Sequence, residues 1–336
     1  MMKLYKLMFF NLMALGTMIS ISSYSWMGMW MGLEINLLSI IPLLNSSKNM
    51  LKSESSLKYF ISQALASLIM LFSIITMLST TEFITIQVNS SLILILNSSL
   101  LTKMGAAPFH FWFPEVMEGQ NWNLCLIILT WQKIAPMILL MNNTININFM
   151  TFTILASLIV SALMAFNQTS LRKILTFSSI NHLAWLNTSI LISFSFWLIY
   201  FIIYCITTLN IIIMFKMTNS FYLKQLINAL NKNKLFKLTL LLNFFSLSGI
   251  PPFIGFLPKW LVINWLTLKN FYWLNFILII MTLVMIFIYM QIIFSSLLLN
   301  FNENLNSINF NHFTLIFINI LTLLSMIFCT LIFNFI

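Results

Sequence analysis

Apolar residues along this chain come in long unbroken runs that stop at short polar breaks. About 20 apolar residues carry a helix across the hydrocarbon core of a bilayer, and runs of that length recur throughout the sequence. They predict an all-α polytopic membrane protein of about eleven transmembrane helices. The runs cover residues 4–23, 26–44, 58–79, 88–117, 122–141, 149–167, 174–193, 195–215, 236–267, 271–299 and 314–335. No stretch between them is long enough for a soluble domain, so residues 1–336 are expected to form a single membrane domain. The fourth and ninth runs are too long for a simple crossing, and both contain glycine and proline.

Those two overlong runs can be laid over one another. The segment from Gly105 through Pro108 and Phe109 to Pro114 matches that from Gly249 through Pro252 and Phe253 to Pro258, without a gap. The runs are five crossings apart and would traverse the membrane in opposite directions. This pattern predicts an inverted repeat of five-helix units, with one broken helix within 58–141 and another within 195–299. Proline removes a backbone donor, and the half-helix ends it leaves need water or polar partners. Broken helices at corresponding places in inverted repeats therefore point to a transport site. Ordinary proline kinks would leave the same trace.

Composition excludes a soluble fold: 60% of residues are hydrophobic, 7% are charged and the mean hydropathy is +0.99, against about 25% charged in soluble domains. The chain has no Asp, a single Arg and much Asn, Ile, Leu, Phe, Met and Lys, a bias expected of an AT-rich organelle genome. Its N-terminus is expected to enter an apolar span at once, without an Arg-rich presequence. Lys3, Lys6, Lys48, Lys52, Lys58, Arg172, Lys173, Lys216, Lys224, Lys232, Lys234 and Lys237 all fall on the side of the N-terminus, and Lys269 falls on the other. The positive-inside rule makes the N-terminal side cytoplasmic or, in a mitochondrion, the matrix side. Such loops suit anionic lipid headgroups, so the net charge of +10 needs no nucleic acid to explain it. Cys125, Cys205 and Cys329 lie far apart within apolar spans and read as buried structural thiols without metal-binding spacing.

Four charges remain inside spans: Glu34, Lys103, Lys133 and Lys259. A charged side chain at mid-helix costs roughly 2.5–3.5 kcal/mol to insert, so four cost on the order of 10 kcal/mol. Snorkelling serves lysines near helix ends and suits these positions poorly. They either form buried ion pairs that fix helix register or line a hydrated path. One Glu cannot neutralise three lysines, and a buried lysine can switch between neutral and charged forms, which favours the path. His110, just past the first break, and His182, inside the seventh span, titrate near neutrality and read equally as relays or packing histidines. Glu115 and Glu118 read as exposed loop residues, and His312 carries no role. No phosphate-binding glycine loop, cysteine cluster or paired histidine is present, so no cofactor is expected.

The segments GLEINLLSIIPLL, SLKYFISQALAS, KMGAAPFHFWFPEVMEG, TWQKIAP, NQTSLRKILTFSSINHLAW and LSGIPPFIGFLPKW resemble the mitochondrial antiporter-like membrane subunits of NADH:ubiquinone oxidoreductase (respiratory complex I), insect ones above all. The resemblance spans roughly residues 20–270. It implies two inverted five-helix units with a proton path of one acid and several lysines at mid-membrane. Carried over by motif, Glu34 is the acid, Lys103 its partner on the first broken helix, Lys133 the central lysine and Lys259 the lysine of the second broken helix. His110 and His182 fall at polar relay positions, and none of these sites departs from the pattern. Three N-terminal helices of bacterial relatives are expected to be missing. The resemblance also implies that electron transfer from NADH to ubiquinone happens in other subunits. Expected partners are the other membrane subunits of that complex and phospholipid, cardiolipin included, but not nucleic acid. The expected location is the mitochondrial inner membrane, with the N-terminus on the matrix side. A stand-alone cation/proton antiporter and a purely structural assembly subunit are the alternatives.

Overall fold

A computed structural model describes residues 4–46, 49–80, 90–143, 146–230, 234–251 and 253–298. Fourteen helices run through them, and every one of the first ten predicted runs is helical. The eleventh run, with His312 and Cys329, lies outside the described residues, as do Lys3, Lys48, Lys232 and Pro252. Seven helical stretches among the described residues are long and apolar enough to cross a membrane. The chain divides into two compact units, residues 1–153 and 154–336. The predicted segment 58–141 lies within the first and 195–299 within the second.

The first unit opens with a helical hairpin, α1 (Leu4–Ser22) and α2 (Trp26–Leu44). Small residues let the two backbones touch. A Cβ on Gly32 would stand 2.5 Å from the Ser20 nitrogen, and one on Gly16 would stand 2.8 Å from the Asn36 nitrogen. Lipid tails give no hydrophobic drive for helices to associate, so close packing of this kind supplies the adhesion. Helix α3 (Met50–Thr80) begins eight residues earlier than expected, because its first two turns are polar and stand outside the apolar pattern.

The fourth run is two helices, α4 (Ser90–Met104) and α5 (Trp112–Gly119). Glu115 and Glu118 therefore sit on a helix and not, as expected, in a loop. Glu115 pairs with Lys58 of α3 at 2.8 Å, and Lys58 also meets Glu54 at 3.0 Å. The fifth run, read as continuous from sequence, is also interrupted. Helix α6 (Trp122–Leu129) stops at Thr130, whose φ and ψ are −114° and −68°, and α7 (Trp131–Asn142) follows. Pro136 inside α7 has no N–H for the Gln132 carbonyl, which weakens the ladder at this interruption. Helix α8 (Ile147–Ala165) starts in the first unit and continues into the second.

The second unit is built around α9 (Leu171–Ile192), in which every residue from Ile174 to Ile190 is buried. It carries Ser178, Ser179, Asn181, His182 and Asn187, and a helix so polar belongs inside a bundle, not against lipid. Packed against it are α10 (Phe194–Thr218), α13 (Phe256–Leu268) and α14 (Tyr272–Leu298). Helix α12 (Lys234–Ser248) and α13 make up the broken ninth run. Helix α11 (Leu223–Leu230) was not expected. Leu226, Ile227, Ala229 and Leu230 bury one face while Lys224 and Gln225 stay exposed. A two-bond clasp, Leu171 N to Phe221 O (2.9 Å) and Leu223 N to Thr169 O (3.0 Å), ties its start to that of α9. Cys125 is buried as expected, whereas Cys205 is only half-buried.

Candidate functional site: buried lysines beside broken helices

The two breaks have one backbone design. At the end of α4, Gly105 takes φ +76°, and at the end of α12 Gly249 takes φ +75°, a region that glycine enters without steric cost. The Gly105 N–H reaches the Leu101 and Thr102 carbonyls, and the Ala106 N–H also reaches Leu101. In the other break Gly249 reaches Phe245 and Ser246, and Ile250 also reaches Phe245. Phe109 to Ala106 and Phe253 to Ile250 then close a second matched turn at 2.9 and 3.0 Å. Every one of these bonds recurs at the same offset, so the sequence overlay of the two runs is also an overlay of their hydrogen bonds.

The three lysines buried among the described residues all sit within one turn of an interruption. Lys103 is one residue from the end of α4, Lys133 is the third residue of α7 and Lys259 the fourth of α13. Their exposures are 6%, 1% and 7%. The Lys133 ammonium lies over the Phe113 ring at 5.6 Å, and that of Lys259 lies over Trp185 at 5.8 Å. Such placements recover part of the desolvation cost, because the face of an aromatic ring attracts a cation.

In the first unit Glu34 is the charged neighbour of Lys103. It is half-buried, and its Oε2 is buried without a hydrogen-bond partner among the described residues. Around Lys103 the structure gathers polar groups that sequence reading missed. The Tyr59 hydroxyl donates to Gln132 Oε1 at 3.5 Å, Gln132 Nε2 donates to Asn36 Oδ1 at 2.9 Å, and Gln63 Nε2 donates to the Lys103 carbonyl at 3.4 Å. These four side chains and Lys103 line a cavity of about 10 Å³, room for a single water. The signal was present: each of the four is polar within an apolar run, and Gln132 directly precedes Lys133. His110 is buried at the first break against Phe111, ring centroids 4.4 Å apart.

In the second unit His182 Nδ1 shares a hydrogen bond of 3.0 Å with the Tyr200 hydroxyl, and its ring lies 5.2 Å from that of Tyr204. These three residues line a small cavity together with Ser246, Gly255 and Pro258 of the second break. Lys259 Nζ donates to the Ser248 carbonyl at 2.7 Å. Asn187 of α9 and Asn243 of α12 are buried, and neither the oxygen nor the nitrogen of either amide has a partner among the described residues. Among the described residues no cluster of His, Cys, Asp and Glu could hold a metal.

Comparison with known proteins places this geometry. Residues 23–286 match the family model described as NADH:quinone oxidoreductase/Mrp antiporter, TM. The NADH-ubiquinone oxidoreductase chain 2 of Aedes aegypti is 48% identical over 339 residues, covering 99% of each chain. Its counterpart in Anopheles gambiae is 46% identical over 305 residues, covering 90% of this chain and 89% of the other. Among solved structures, the fold matches a chain of respiratory complex I from Thermus thermophilus with a TM-score of 0.84 at 20% identity, covering 97% of this chain and 78% of that one. It also matches a chain of the Mrp complex from Dietzia sp. with a TM-score of 0.74 at 14% identity, covering 84% and 59%. A family match over most of the length, joined to relatives at nearly half identity over almost all of it, shows that this chain belongs to the NADH-ubiquinone oxidoreductase chain 2 family.

Proposed function

We propose that this chain is a proton-translocating membrane subunit of NADH:ubiquinone oxidoreductase, moving protons with buried Glu and Lys side chains while electrons pass through other subunits. The observation that carries this reading is the coincidence of three buried lysines with three helix interruptions, in a chain of this family. A charge at such depth is expensive, and a broken ladder beside it supplies the carbonyls and polar neighbours that make the charge tolerable. Glu34 and Lys103 serve the first unit with Lys133. Lys259 serves the second, where His182 and Tyr200 line a cavity with Gly255 and Pro258. His110 is a relay candidate at the first break. The buried amides of Asn187 and Asn243, without partners among the described residues, support a hydrated interior, since an unsatisfied buried polar group costs about 1–3 kcal/mol.

The same reading assigns the chain to the mitochondrial inner membrane, beside the other membrane subunits of that complex. It places the N-terminus on the matrix side, supported by the basic residues Lys6, Lys52, Lys58, Lys173, Lys216 and Lys224 on that side of the predicted spans. These residues would also hold anionic phospholipid, cardiolipin included. A stand-alone cation/proton antiporter would have the same fold, and fold is all that the likeness to the Mrp chain shows. Relatives matching end to end favour the complex.

The test replaces Lys133 by Ala in the assembled complex reconstituted into liposomes. Fewer protons are expected per NADH oxidised, with electron transfer to a soluble acceptor unchanged. An unaltered proton yield would remove Lys133 from the path.

A further inference from the structure

The last carbonyls of a helix have no partner within it and must find donors elsewhere. The two matched breaks therefore allow a direct accounting. In the first, beyond the backbone bonds at Gly105 and Ala106, the Thr102 carbonyl accepts from the Trp112 indole N–H at 3.1 Å and the Lys103 carbonyl accepts from Gln63 Nε2 at 3.4 Å. Both donors are neutral. The Lys103 ammonium makes none of the described hydrogen bonds to this break, and Lys103 lines the small cavity. In the second break, the donor to the exposed end of α12 is the Lys259 ammonium itself, 2.7 Å from the Ser248 carbonyl.

Packing fixes that bond. A Cβ on Gly249 would lie 3.0 Å from both Lys259 Cδ and Nζ, and one on Gly255 would lie 1.8 Å from the Ser246 carbonyl oxygen. The lysine stem thus threads between the two half-helices with no room to spare. The titratable groups lining the cavity next to Gly255 and Pro258 come from α9 and α10: His182, Tyr200 and Tyr204. Trp185 covers the ammonium from α9.

We propose that the two breaks are held by different means: a charge, on Lys259, latches the second, while Trp112 and Gln63 hold the first and leave the Lys103 ammonium free to change its charge. A hydrogen bond from an ammonium is roughly twice as strong as one from a neutral donor, and a cation at a helix C-terminus also meets the helix dipole favourably. The second break is therefore tight when Lys259 is charged and loose when it is neutral. The first break keeps its shape whatever the charge on Lys103. Trp112 and Gln63 are positioning residues for Lys103. This division of labour rests on the reading of the lysines as proton-carrying groups.

Amide hydrogen exchange in the assembled complex tests it, followed by mass spectrometry at peptides covering each break. Lys259→Met should speed exchange around 249–256 about tenfold, the factor set by losing one charge-assisted hydrogen bond. Lys259→Arg should preserve protection. Lys103→Met should leave exchange around 105–113 within about twofold, while Trp112→Phe, which keeps the ring and loses the donor, should raise it several-fold. Unchanged protection in Lys259→Met, or an opened first break in Lys103→Met, overturns the proposal. If Lys259→Met does not assemble, the comparison of Trp112→Phe with Lys103→Met decides alone: faster exchange in the first and not the second supports the proposal, and any other pattern overturns it. Proton yield per NADH, measured on the same preparations, reports separately on the lysines as proton carriers. A loss of pumping without a change in exchange would leave the proposed function standing and sink the latch.

Discussion

The close approach at Gly255 gives a sharp quantitative expectation. The residue has φ −63° and ψ −18°, values any amino acid adopts, so a substitution there meets no backbone strain of its own. The obstacle is space. A Cβ would stand 1.8 Å from the Ser246 carbonyl oxygen and 3.0 Å from its carbon, far inside contact distance. The obstructing atom belongs to the backbone of α12, so no rotamer change relieves it, and α13 must move away from α12 by more than about 1 Å. Overpacking of this kind costs about 1–3 kcal/mol and more where backbone must shift, which puts Gly255→Ala at about 3 kcal/mol. The displacement acts four residues from Lys259 and would stretch its 2.7 Å bond to Ser248. The matched position in the first break is Phe111, whose side chain is 69% exposed, so Phe111→Ala should cost well under 1 kcal/mol. Native electrophoresis of mild-detergent extracts, stained for NADH oxidation, measures the yield of assembled complex. Gly255→Ala should lower both the yield and the thermal stability of what assembles, and Phe111→Ala should leave them near wild type. Equal behaviour of the two variants would refute the argument from close approach.

Two further expectations follow from contacts already described. Gly32→Ala drives a methyl to 2.5 Å from the Ser20 nitrogen and 2.7 Å from its Cα, so the α1–α2 hairpin should part and assembly should fall by native electrophoresis. Gly28→Ala in the same helix meets Ser23 and Ser25 side-chain atoms at 3.0 and 3.1 Å and should be far milder. Tyr200→Phe removes the 3.0 Å hydrogen bond to His182, at a cost of about 1 kcal/mol. If His182 takes part in proton transfer, the pH profile of pumping should move while NADH oxidation with a soluble acceptor stays put; an unmoved profile makes His182 a packing residue.

Much of the architecture could be read from the chain because a membrane leaves backbone few options. Each apolar run had to be a helix, since lipid offers no partner for peptide groups, and the ten runs within the described residues are helical. Glycine and proline gave away the breaks at 105 and 249, where left-handed glycines are found. What escaped was of two kinds. The interruption at Thr130 has no glycine to mark it and its nearest proline, Pro136, lies six residues on, and α11 is a short amphipathic helix in a polar stretch that a search for long apolar runs passes over. The other omission was the set of neutral side chains around Lys103. Asn36, Tyr59, Gln63 and Gln132 come from α2, α3 and α7, and their meeting depends on helix rotation, which hydropathy does not encode. The charges were legible one by one, because each is costly alone; their partners were not, because a lone glutamine in a helix costs little.

Helix α9 has a consequence for how the protein is made. It is long enough to span a bilayer at 22 residues, yet it is not among the stretches apolar enough to do so. Its serines, asparagines and histidine make its gain on leaving a translocation channel smaller than that of its apolar neighbours. Helix α10, which follows after a single residue, has a mean hydropathy of 2.3 over its most apolar window. Entry of the two as a pair would let the apolar member carry the polar one. A nascent chain halted between them would hold α9 at the channel mouth, so the timing of synthesis becomes part of how this helix reaches its place.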